Sequence, residues 1–274
     1  MTNDVDLAMT GELRHVNYEP TYSGANSFLR RRYTKSLEGA DLAVVGVPLD
    51  LATTNRPGAR LGPNAVRSAS AIMAWERPYG ASCDPREQLA VIDYGDVGFD
   101  FGKPHEIPDL ITAEFGAILD AGVANLALGG DHYISYPILR AVAARHGPVS
   151  LLHFDAHSDT WADEEDRLMD HGTMFRKAAE EGLVAPSRSV QLGIRTHNPD
   201  PMDFNILDAP WIHANGINAA ISQVRAIVGD HPVYLSFDID CLDPAFAPGT
   251  GTPVSGGLSS AQALGILQGL GGLR

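Results

Sequence analysis

The chain has 274 residues, 44% hydrophobic and 20% charged, which fits a globular protein with room for a sizeable core and excludes wholesale disorder. Its 20 Lys and Arg against 34 Asp and Glu give a net charge of −14, a balance that repels nucleic acid and anionic membrane and mildly attracts cations. No apolar run approaches the roughly 18 residues that span a bilayer, the acidic start is unlike a secretory signal, and Cys83 and Cys241 form no CxxC pair, so a cytoplasmic protein without disulfides or a thiolate zinc site is expected.

In chain order, residues 1–35 carry weak periodicity and the basic run Arg30, Arg31, Arg32, and read as an N-terminal arm, flexible or partner-contacting. Beyond it, LAVVGVP (42–48) predicts a strand and Pro63–Ala74 a helix. LAVIDYGD (89–96) is followed by a helix over Pro108–Ala121, and NLALGGDH (125–132) by one over Tyr136–His146. VSLLHFDAH (149–157) precedes helical spacing at Gly172–Gly182, and SVQLGIRT (189–196) precedes Ile217–Gly229. PVYLSFDID (232–240) is the last apolar run. Most of these runs lack strict alternation, as expected of strands buried on both faces, and strand alternating with helix predicts a parallel α/β sheet. No linker interrupts the alternation, so a single domain over 36–274 is expected.

Several predicted strands end in Asp or His rather than in ordinary turn residues, and in parallel sheets the ligand site lies beyond the carboxyl ends of the strands. Asp155, His157 and Asp159 are spaced by two, as are Asp238 and Asp240, and extended backbone puts such residues on one side. With His132 they make four carboxylates and two imidazoles. Four carboxylates in one cleft repel one another unless cations sit among them. An oxygen-rich set with two imidazoles and no thiolate suits Mn²⁺ better than structural zinc. Six donors are also too many for one catalytic ion with open positions, and point to two ions about 3.5–4 Å apart. Four carboxylates, two divalent ions and a hydroxide leave a slightly negative centre, suited to a cationic, guanidinium-like electrophile.

GGDH (129–132), HFDAHSDT (153–160), DHGTMF (170–175) and above all SFDIDCLDPAFAPGTGTPVSGGLS (236–259) resemble the ureohydrolase family of arginases and agmatinases, most closely its agmatinase branch. GVPLDLATTNRPGARLGP (46–63) is similar to the family's N-terminal signature. The resemblance implies a three-layer α/β/α fold with a mainly parallel eight-stranded sheet, a pair of Mn²⁺ ions, and hydrolysis of agmatine to putrescine and urea. It assigns one ion to His132, Asp155, Asp159 and Asp238, and the other to Asp155, His157, Asp238 and Asp240, with Asp155 and Asp238 bridging. Asp159 would also accept a hydrogen bond from the nucleophile, and His171 would shuttle a proton, for which an ordinary imidazole pKa is suited. A homo-oligomer, trimer or hexamer, is implied as well.

His153 shares the side of Asp155 but has no ligand role in the family pattern, and supports the ligands from behind. Cys241 is expected to be buried and structural. Trp161 and the acidic run Asp163, Glu164, Glu165, Asp166 either face the amine end of the substrate or form a solvated loop. The Pro/Gly-rich stretch from Asp243 to Gly257 is expected to wall the substrate entrance. Gly271-Gly272 reads as a helix C-cap, and the family continues past this point with a central strand, carrying a glutamate that orients the guanidinium, and a closing helix. The sequence is therefore expected to be a truncated family member. The competing expectations are a hydrolase of another guanidino compound such as 4-guanidinobutyrate, a single-zinc deacetylase, against which His132, Asp159 and the DID pair argue, and a non-catalytic metal-binding subunit.

Overall fold

The computed structural model describes residues 6–14, 20–163 and 167–274, which group into two compact units: Met1–Asp50 with Gly58–Ile134, and Leu51–Pro57 with Ser135–Arg274. In the first, β1 (Arg32–Tyr33), β2 (Leu42–Val47), β3 (Val91–Asp96) and β4 (Ala124–Gly129) form a parallel sheet in the order β1-β3-β2-β4. Leu42 is level with both Val91 and Ala124. The central strand β2 is almost wholly buried, as its unbroken apolar run requires. The helix Ile107–Asp120 turns Ile107, Ile111, Phe115 and Ile118 inward, a spacing of three and four that makes one apolar stripe.

Two glycines of this unit are fixed by close approach. A Cβ at Gly62 would lie 2.4 Å from the Gly129 carbonyl oxygen, and only a bare Cα lets the helix Gly62–Ser70 come so near to β4. Gly130 takes φ 44° with the Val47 carbonyl 2.3 Å from where its Cβ would be, which turns the chain sharply as β4 ends. The same helix carries the buried Arg67, whose guanidinium grips both carboxylate oxygens of Asp93 on β3 at 2.8 and 3.0 Å and Asp96 at 2.7 Å.

The segment read as an N-terminal arm, flexible or partner-contacting, makes contacts within its own unit where it is described. Arg30 and Arg31 are buried, and Arg30 donates to the carbonyls of Pro20, Thr21, Ser23 and Ala25, while Arg32 begins β1. A guanidinium with several fixed donors can satisfy turns of irregular backbone, a use that charge patterning does not distinguish from solvation.

In the second unit, β5 (Ser150–Phe154), β6 (Val190–Leu192), β7 (Asn205–Leu207) and β8 (Val233–Phe237) form a parallel sheet in the order β7-β6-β5-β8. Leu152, Phe154, Val190 and Leu192 pack with Ala220, Val224 and Val228 of the helix Ile217–Val228 and Ala263 and Ile266 of the helix Ser260–Gly269. That last helix opens with a capping box: the Ser259 hydroxyl accepts from the Gln262 amide, and the Gln262 side chain accepts from the Ser259 amide.

Among the described residues the eight strands lie in two four-stranded parallel sheets, the mainly parallel α/β arrangement expected, with β4 and β8, the strands ending at GGDH and FDID, at their edges. β4 and β8 each have one strand neighbour among the described residues, and Leu126, Leu235 and Phe237 on them are exposed. The first amide of β8, Val233, donates to the carbonyl of Arg274 at 2.8 Å. No further strand pairs with either edge among the described residues, which leaves these apolar side chains exposed.

Candidate metal centre

β5 ends at Phe154, and the next residues continue past the sheet with their side chains turned into one buried cluster. The Asp155 amide still donates to Leu192 on β6, which holds the carboxylate at the strand end. From β8 the chain leaves through Asp238, whose amide donates to the Phe154 carbonyl at 2.9 Å, so the two polar strand endings lie side by side. Asp238 Oδ1 accepts from the Asp240 amide at 2.9 Å, folding the short turn Ile239–Cys241 that swings Asp240 back toward β5. Asp240 Oδ1 then accepts from the Ala156 amide at 3.0 Å.

His157 lies between the two carboxylates, its Nδ1 3.1 Å from Asp240 and 3.3 Å from Asp155. Burial works against its charge, yet hydrogen bonds to Asp155 and Asp240 and their charges outweigh it and raise the imidazole pKa from 6.5 to about 10. Burial, and then the neighbouring Asp155, hold Asp240 above the usual carboxylate range. This is the electrostatics of a site that takes a cation. Ligand atoms of Asp155, His157 and Asp240 lie within 4.8 Å of one another, as do those of His153, Asp155 and Asp159. Asp155 is common to both groups. Asp159 has the left-handed φ of 53°, unusual outside glycine and best tolerated by Asp and Asn, so the backbone is strained to bring this carboxylate in.

His132 belongs to the first unit, where it opens the turn His132–Ile134 directly beyond β4. Asp238 is at the strand end as expected, with its carboxylate engaged in the turn to Asp240. His171 stands before the helix Met174–Glu180, with its Nε2 2.9 Å from the Thr54 hydroxyl. The Trp161 ring lies 6.4 Å from that of His157. Asp163 neither faces solvent nor waits for a substrate amine, because it accepts from Lys177 Nζ and from the Arg167 amide, both at 2.9 Å. Glu164, Glu165 and Asp166 lie outside the described residues. Cys241 is buried, and burial, followed by the charges of Asp155, Asp238 and Asp240, pushes its thiol well up, which suits a structural cysteine.

With this geometry in hand, the family model described as Arginase family matches residues 40–274. The chain belongs to the arginase family. An agmatinase of Chromobacterium violaceum is 54% identical over 256 residues, covering 93% of this chain and 80% of that protein. An agmatinase of Neisseria meningitidis is 50% identical over 84% of this chain and 75% of its own length. The crystal structure of a hypothetical agmatinase from Burkholderia thailandensis superposes with a TM-score of 0.96 at 55% identity, over 98% of this chain and 86% of that one. Proclavaminate amidino hydrolase from Streptomyces clavuligerus gives 0.85 at 36% identity, over 93% and 87%. The arginase-family fold and the His/Asp cluster together support a metal cofactor.

Around this arginase-family cluster stand residues that the sequence reading passed over. Thr252, in the Pro/Gly-rich loop, donates its hydroxyl to Asp240 Oδ2 at 3.2 Å. Arg195 beyond β6 donates to the carbonyls of Gly193, Asp240, Cys241, Leu242 and Val254, tying the ligand turn to that loop. Asp243 closes the loop's base by accepting from the amides of Ala245, Gly256 and Gly257. Asn198 bonds the hydroxyls of Ser158 and Thr160 on either side of Asp159. The signal for Arg195 was a lone cation just after a buried apolar strand. Thr252 and Asn198 had no comparable signal.

Proposed function

We propose that this chain is a manganese-dependent agmatinase, hydrolysing agmatine to putrescine and urea as a step in polyamine biosynthesis. The observation that carries the reading is the clasp of a cationic His157 by Asp155 and Asp240, where β5 and β8 end, in a chain 54% identical to an agmatinase. An oxygen-rich set with imidazole nitrogens among its carboxylates is chemically fitted to Mn²⁺, and no thiolate competes at Cys241, which burial keeps as the thiol. His132, Asp155, Asp159 and Asp238 would hold one Mn²⁺, and Asp155, His157, Asp238 and Asp240 the other. The chemistry such ions would supply when bound is activation of a water toward an otherwise inert guanidinium carbon.

The chain's own residues supply the rest. The acidic set draws in the planar cation. Asp159 accepts a hydrogen bond from the attacking water and orients it. His171 gives a proton to the departing amine, and the Thr54 hydroxyl on its Nε2 steadies the ring. No described helix is long and apolar enough to cross a membrane. A cytoplasmic homo-oligomer, trimer or hexamer, completes the proposal.

Urea release by the manganese-loaded protein from agmatine, arginine and 4-guanidinobutyrate tests it. Agmatine should be turned over with the highest kcat/KM. A preference for 4-guanidinobutyrate would move the assignment to another guanidino compound, and full activity with a single zinc per chain would overturn it.

A further inference from the structure

His153 is two residues before Asp155 and offers an imidazole nitrogen to the same cluster, so on proximity alone it counts as a ligand. Its far side argues otherwise. His153 on β5 is paired in register with Gln191 on β6, and both side chains are fully buried. Gln191 Nε2 lies 2.7 Å from the carbonyl oxygen of Ser158 and 3.1 Å from His153 Nδ1. A carbonyl only accepts, so the amide group facing Ser158 is the NH₂ and not the oxygen. Turning the amide over would set two oxygens against each other at that distance. It would also move the NH₂ to the place of Oε1, where no hydrogen-bond partner waits among the described residues, and leave two N–H groups buried and unmet.

With two N–H groups for two neighbours, Gln191 donates to both, and His153 Nδ1 must be the accepting nitrogen. The ring proton is then on Nε2, which lies 2.8 Å from Asp155 Oδ2. The Phe175 ring, edge-on at 4.7 Å, holds the imidazole in this orientation. A metal-bound Nε2 would need the opposite tautomer, with Nδ1–H directed at the Gln191 NH₂, a donor facing a donor.

We propose that Gln191 fixes His153 as its Nε2–H tautomer and so makes it a positioning residue for Asp155 rather than a metal ligand. His153 takes one oxygen of the shared carboxylate, while the other accepts from the His157 amide at 2.6 Å. Two of the three donors in the row His153, Asp155, His157 are thereby given to metal and the third is excluded. The inference rests on the metal-centre reading above, but its main readouts do not depend on which guanidino compound is the substrate.

The test uses the full chain labelled with ¹⁵N-histidine. In the metal-free protein at neutral pH, long-range ¹H–¹⁵N correlations should show His153 with the proton on Nε2, assigned by loss of the signal in His153→Gln. Gln191→Glu replaces the donor by an acceptor and should put a proton on Nδ1 as well, while Nε2–H stays directed at Asp155. By competition with a fluorescent chelator, His153→Ala and Gln191→Glu should weaken Mn²⁺ binding by about 10–100-fold without lowering the number of ions bound, the usual effect of losing a partner behind a ligand. His153→Gln, which keeps an N–H near the Nε2 position, should recover most of that loss. A proton on Nδ1 in the wild type, fewer ions bound by His153→Ala, or unchanged Mn²⁺ affinity in Gln191→Glu would each overturn the proposal. If His153→Ala fails to fold, the wild-type spectrum and Gln191→Glu still decide. Failure to hydrolyse agmatine with these results intact would count against the substrate and not against the tautomer.

Discussion

Loading the metal-free protein with Mn²⁺ should expel a proton from His157. Asp155 and Asp240 hold this imidazole at about 10, against an ordinary value of 6.5. At pH 7.5 the shifted group is protonated in roughly 99% of molecules, whereas an unshifted one would be protonated in only about 10%. Ligation needs the neutral ring, so His157 should account for about one proton released per chain, and the apparent affinity of its ion should rise about tenfold per pH unit up to the shifted value. Calorimetric titration with MnCl₂ in buffers of different ionisation enthalpy gives the proton count. Other groups release protons too, so the comparison is with His157→Asn, which should release about one fewer. Equal release from the two proteins would refute the reasoning. The sign for stability follows the same linkage. A pKa raised on folding contributes stability that is fully present below 6.5 and is lost as pH rises through about 10, so the metal-free protein should melt at a lower temperature at pH 9.5 than at pH 6.5 for this reason.

Three further outcomes are expected. Asp155→Asn keeps the size of the side chain shared by both ligand groups but removes its charge, and should abolish urea release and lower manganese occupancy measured by atomic emission. His171→Ala should leave occupancy unchanged and slow kcat by ~10²-fold, the usual contribution of one general acid, and loss of manganese would show that His171 is a ligand instead. Cys83 is exposed and Cys241 buried with a raised thiol, so a thiol reagent should titrate one cysteine in the native protein and both in guanidinium.

Much of the fold is readable from hydrophobic runs because four of the eight described strands are internal, and β4 and β8 keep apolar runs although they are edges with exposed residues. The two not anticipated are β1, two residues long with both exposed, and β7, three residues among polar neighbours. Both are short edge strands, and Leu207 is their one buried residue, too little to print a recognisable apolar pattern. The five helices read from spacing are found with ends displaced by one or two residues, except that Pro63–Ala74 stops as an α-helix at Ser70 and runs on as the tighter turn Ala71–Met73, while the short helix Ala209–Asn215 was not anticipated. The cluster is legible because polar residues crowd two strand ends, but the extended backbone expected there does not bring them together: β5 stops at Phe154, Asp240 is swung in by the turn Ile239–Cys241, and Asp159 has a left-handed φ. Asp163 misled because a carboxylate in an acidic run looks solvated until Lys177, fourteen positions on, is seen to approach it. Gln191 left a trace that went unread, a polar residue inside the apolar strand SVQLGI, and only the register with His153 gives it meaning.

The attachments of the loop after Asp243 have a consequence for how such a protein can change. Arg195 at Val254 and Asp243 at Gly256 and Gly257 fasten the returning end of the loop, and the same Arg195 fastens the backbone of Asp240. The stretch between, residues 244–253, is hung from these anchor points. Lengthening a segment held at both ends costs only about 0.6 kcal/mol per doubling in closure entropy. Yet a change of length there would move the Thr252 hydroxyl off Asp240 Oδ2 and strain the bonds from Asn55 and Arg56 to Gly251 and Pro248, so the loop that would face a ligand and the carboxylate that would meet a metal are tied and change together.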